Sequence, residues 1–139
     1  MRKALTLLIA LLCINLALAQ NKPLACQVDA SAGLRWENGQ WKVSKFVDSR
    51  FILIMNGDTL TKESVSRAMS GSGSVIFSDV ICKTNSFNKK IFCTDFGGYE
   101  ISLDPQNLKG GMSRIWGATT AENSFKDAIL VDAFTCQPY

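Results

Sequence analysis

The chain has 139 residues, with 15 Lys and Arg against 12 Asp and Glu, and it contains no histidine. A chain of this length builds one core rather than several. The lack of histidine removes the commonest general base, the Ser-His and Cys-His nucleophile pairs and every histidine-based zinc site. Nearly balanced charge, with no run of Lys or Arg, leaves no electrostatic footprint for nucleic acid or an anionic membrane.

Arg2 and Lys3 precede a mostly apolar stretch from Ala4 to Leu18, which reaches Ala17-Leu18-Ala19 before the polar Gln20. This is the three-part layout of a secretory signal peptide. The apolar run is interrupted by Asn15 and is short for a membrane span. Residues 1–19 are therefore expected to be a cleaved leader, and residues 20–139 one exported β domain, periplasmic or secreted, without a membrane segment. Cleavage leaves 120 residues, with 13 basic against 12 acidic because Arg2 and Lys3 depart.

Cys13 leaves with the leader; the Leu11-Leu12 before it lacks the small residue that lipoprotein processing prefers. Cys26, Cys82, Cys93 and Cys136 remain, an even number in an exported chain, and read as two disulfides. Four cysteines allow three pairings. Cys82 and Cys93 fall in neighbouring strand-like segments and Cys26 and Cys136 near the mature ends, so Cys82–Cys93 and Cys26–Cys136 are expected. No Cys-x-x-Cys and no histidine accompany them, so neither a metal nor a cofactor is expected.

"RWENGQW", residues 35–41, carries two tryptophans around Asn38-Gly39. Asn-Gly suits a two-residue type I′ loop because both residues tolerate positive φ. In that hairpin Glu37 faces Gln40, Trp36 faces Trp41, Leu34 faces Val43 and Arg35 faces Lys42, which makes one face apolar and the other charged. "FILIMNGD", from Phe51 to Asp58, is an apolar run ended by a second Asn-Gly and reads as a buried strand followed by a turn. Thr61 then caps a helix of about two turns, with Leu60 and Val65 spaced as a hydrophobic staple and Val65, Ala68 and Met69 on one face.

"VIFSDVICK", "KIFCTDF", "YEISLD" and "AILVDAFTC" are rich in Val, Ile, Phe and Tyr and read as further strands. Phe96-Gly97-Gly98-Tyr99 is a third two-residue hairpin candidate, which sets Asp95 opposite Glu100. "LDPQNLKGGMSRIWGATTAENS" reads mostly as loop, broken by Pro105 and Gly110-Gly111 and anchored by Ile115-Trp116. The sum is an all-β domain, a small antiparallel barrel or sandwich of about seven to eight strands with one short helix.

Two groups of side chains are candidates for function. Trp36, Trp41 and Trp116 could line a barrel mouth and bind an apolar ligand or a partner, although small barrels fill their interiors with such side chains, and the core role is favoured. Asp95 facing Glu100 could serve a carboxylate-based glycosidase or a cation site. The plainer readings are that both acids splay into water or that the register differs. The sequence favours the plainer readings. There is no Ser-x-x-Lys with supporting motifs, no phosphate-binding glycine loop and no Rossmann fingerprint. A binding module without catalysis of its own is expected, with an unknown protein as the leading partner in an inhibitor or immunity-type role. A carrier of a small apolar ligand is the alternative, and a carboxylate-based hydrolase comes last.

The Trp36–Trp41 hairpin resembles the designed tryptophan-zipper peptides, which implies pairing of the rings and no activity. Gly39-Gln40-Trp41 looks like the Gly-x-Trp that opens the first barrel strand of lipocalins and fatty-acid-binding proteins, but here the glycine belongs to a tight turn and a strand precedes it. "GLRWENGQWKVSKF", "SLDPQNLKGGMSRIWG" and "KDAILVDAFTCQPY" together resemble a family of small secreted bacterial proteins of unknown function. That resemblance implies an exported, disulfide-bonded bacterial domain and carries over no catalytic residue.

Overall fold

Strands dominate the computed structural model, which describes residues 21–46, 49–70, 79–95, 97–115 and 128–139. Residues 1–19, expected from the sequence to be a leader, and Phe96 and Trp116 lie outside the described residues. In chain order the elements are β1 (Lys22–Glu37), β2 (Gln40–Ser44), β3 (Arg50–Asn56), β4 (Thr59–Leu60), α1 (Lys62–Ser70), β5 (Ile81–Thr84), β6 (Ile91–Thr94), β7 (Tyr99–Asp104), β8 (Lys109–Arg114) and β9 (Ala128–Pro138). The antiparallel sheet runs β4-β3-β1-β9-β8-β7-β6-β5, and β2 lies beside the second half of β1. Its two ends approach each other, with Thr84 Oγ1 donating to the Asp58 carbonyl at 2.7 Å. The all-β expectation is met as a nearly closed, barrel-like sheet.

β1 organises the wall. Its first half pairs with β3 and its second half with β2 on one side, while β9 accompanies it along the other. Between Val28 and Ala30 the register with β9 shifts, so Asp29 is an extra residue, a β-bulge. Asp29 Oδ2 accepts a bond from Thr135 Oγ1 at 2.6 Å. Before the bulge the even positions Leu24, Cys26 and Val28 are buried. Beyond it the parity inverts, and the even positions Ala32, Leu34 and Trp36 face outward. The pairs that the Asn38-Gly39 turn specifies reach back only to Leu34; the bulge breaks the alternation that would have revealed the strand from Lys22 onward.

The core is built from the inner faces of this wall and from α1. Leu53, Val65, Met69, Ile91, Ile101, Leu103 and Phe134 are fully buried. Phe134 meets Phe51 edge-on at 5.1 Å. The helix lies where expected: Leu60, Val65, Ala68 and Met69 are buried, the Thr61 carbonyl accepts from the Val65 N–H at 3.2 Å, and the Thr61 hydroxyl donates to Ser64 Oγ at 3.0 Å. It packs against both β3 and β7.

Two expectations need correction. β3 is not buried on both faces: Leu53 points into the core while Ile52 is exposed, because one face of a barrel wall meets water. The stretch read mostly as loop contains β8, which pairs with β7 and β9 along its whole length. Gly110 suggested a break, but it is a packing device: a Cβ there would run into the Phe134 ring and the Ser102 carbonyl.

Both expected disulfides are present, Cys26–Cys136 and Cys82–Cys93, each with 4.0 Å between Cα atoms. Each joins residues directly opposite in neighbouring strands. The flanking bonds place both pairs at non-hydrogen-bonded positions, where side chains approach most closely. One bridge staples β1 to β9 and the other β5 to β6.

Candidate functional site

The loop between β1 and β2 is the two-residue turn that Asn-Gly implies, with φ of 52° at Asn38 and 80° at Gly39. Every pair expected across it is found, from Glu37 opposite Gln40 to Leu34 opposite Val43. Trp36 and Trp41 meet edge-to-face, with ring centroids 5.3 Å apart. Such a contact contributes about 0.5–1.5 kcal/mol beyond burial.

The rings are not part of the buried core, contrary to the favoured reading. Trp36 is half-buried and Trp41 is 38% exposed. The reason is the Asp29 bulge, which turns the even positions of β1 outward. Register extends the apolar surface beyond the tryptophans: Val43, Leu34 and Ile129 form a row across β2, β1 and β9, and Ala32 lies beside Val131 in the next. Val43 is 86% and Val131 58% exposed, so this three-strand face is open to solvent. On the opposite face Arg35 stands over the Phe46 ring at 5.2 Å, and Lys42 pairs with Glu37 at 3.9 Å. The hairpin is therefore apolar outside and charged inside.

The carboxylate pair does not form. Glu100 lies opposite Thr94, one residue out of the expected register, and Asp95 N–H bonds the Tyr99 carbonyl at 3.3 Å across a longer loop. Adjacent strand positions point to opposite faces, so this slip separates the acids. Asp95, 8% exposed, accepts from the N–H groups of Gly97 at 2.8 Å and Tyr99 at 3.0 Å and holds the turn. Glu100 lines a shallow outer cleft with Ile81, Lys83 and Phe92. Among the described residues no group of three or more His, Cys, Asp or Glu is arranged to hold a metal ion.

Sequence reasoning missed one buried acid. Asp132 faces inward between Leu130 and Phe134 and accepts a short hydrogen bond from Ser31 Oγ on the neighbouring strand. The period-2 pattern of "AILVDAFTC" carried that signal, since Leu130, Asp132, Phe134 and Cys136 share a face.

No family model matches the chain, and no curated protein or solved structure matches it.

Proposed function

We propose that this protein is an exported, non-catalytic binding module whose partner is another protein, met on the outer face of the β2-β1-β9 hairpin arm. One observation carries the reading: a solvent-exposed apolar face crosses three strands, with an edge-to-face tryptophan pair at its tip and Val43 and Val131 open to water. Contiguous exposed apolar surface on a soluble domain marks an interaction site, and aromatic anchors dominate such sites energetically. The two disulfides suit an oxidising compartment, in keeping with the leader at residues 1–19. A carrier would hold its ligand inside the barrel. The inward faces are instead occupied by packed side chains.

Native mass spectrometry of the protein, purified without reductant from its host's envelope, tests the proposal. A protein retained by the wild type and lost from Val43→Lys supports it. A retained small molecule would replace it with the carrier reading, and a partner held equally by Val43→Lys would move the contact elsewhere.

A further inference from the structure

A second surface lies away from the arm, where β3 meets α1. The Val28 N–H donates to the Ser49 carbonyl at 2.9 Å, which sets the alternation of bonds between β1 and β3. Arg50, Ile52 and Ile54 consequently turn their backbone N–H and C=O groups away from β1. At Ile54 both groups are satisfied: the carbonyl accepts from the Thr61 N–H at 2.9 Å and the N–H donates to Ser64 Oγ at 3.0 Å. β4 ends there, and the chain turns into α1. The backbone of Ile52, one pair further along, has no partner on that edge among the described residues.

Beside this open edge is a cleft of about 510 Å³ between β3 and α1, lined by Arg50, Ile52, Ile54, Arg67 and Ala68 among others. Neither guanidinium has an ion-pair or hydrogen-bond partner among the described residues; Glu63, one turn before Arg67, makes no ion pair with it. An unpaired strand edge, an apolar floor and two unengaged arginines thus converge in one groove.

We infer that this groove binds an extended acidic peptide segment of a partner protein, which adds as a short strand to the Arg50–Ile52 edge. Main-chain bonds to Ile52 would supply the pairing, and Arg50 and Arg67 would select carboxylate side chains through charge-assisted bonds. The inference rests on the reading of the protein as a binding module but not on the hairpin arm, so either surface can fail without the other.

The test titrates the oxidised protein with the blocked peptide Ac-Glu-Val-Glu-Val-Glu-NH2 and follows backbone amide signals and exchange. Saturable binding with slowed exchange at the Ile52 N–H is expected. Affinity should fall about tenfold or more in Arg50→Gln and in Arg67→Gln, in line with loss of a hydrogen bond to a charged group. The lysine counterpart, Ac-Lys-Val-Lys-Val-Lys-NH2, should not bind, nor should the acidic peptide N-methylated at its three central residues. Three outcomes overturn the inference. Absence of saturable binding at millimolar peptide removes the site; equal binding of the N-methylated peptide reduces it to a plain anion site; and responses confined to Trp41–Val43 return the contact to the hairpin arm.

Discussion

The two halves of β1 run beside the same partner, β9, yet one builds a core and the other an exposed surface. In the first half Leu24, Cys26 and Val28 face the core with Phe134 and Cys136 in the nearly closed wall, with β3 completing the other side. In the second half the parity of the strand is inverted, β2 replaces β3, and Leu34 and Trp36 face solvent beside Ile129 and Val131. The hydrogen-bonded scaffold is continuous; only the direction of the side chains changes. A single inserted residue, Asp29, thereby divides one strand between a buried core face and an exposed apolar face.

This division predicts a graded set of effects, all measurable by urea unfolding. The largest belongs to the base of the barrel. Replacing Cys26 and Cys136 together by Ala should cost about 4–5 kcal/mol, since that bridge closes a loop of roughly a hundred residues. A loss below 1 kcal/mol would mean the base is held by packing alone. Phe134→Ala should follow at about 3–5 kcal/mol, because its ring fills the space between Phe51 and Gly110 and would leave a cavity.

Effects in the arm should be smaller. Gly39→Val should cost about 1–2 kcal/mol, the strain of a β-branched residue at positive φ; a larger loss would show that the hairpin supports the core. Val43→Lys, on a side chain already in water, should change stability by no more than about 0.5 kcal/mol. That neutrality is what makes it a clean probe of partner binding. A strong destabilisation by Val43→Lys would erase the contrast between the two halves.

Much of this architecture was legible from local chemistry. Asn38-Gly39 specified its turn and, through it, each pair from Glu37–Gln40 to Leu34–Val43, because a two-residue loop leaves no freedom of register. The staple of Leu60 and Val65 marked the helix for the same reason: the contacts lie within one turn. The Asp95–Glu100 pairing failed where the loop length was ambiguous, since a glycine pair accommodates more than one turn and a one-residue slip moves an acid to the other face. β8 was hidden because Gly110 reads as a breaker until Phe134, more than twenty residues away, is seen packed upon it.

By itself, therefore, the sequence determined the β class, the short helix and the tryptophan hairpin, which follow from short-range dihedral preferences and residue period, and it narrowed the cysteines to three pairings among which strand register selects Cys26–Cys136 and Cys82–Cys93. Only the tertiary structure decided the near-closure of the barrel, the outward turn of the arm's apolar face, the separation of Asp95 from Glu100 and the open edge at Ile52. Each of these depends on which strand lies beside which and in what register. Register is a property of paired strands, and neither strand of a distant pair carries it alone.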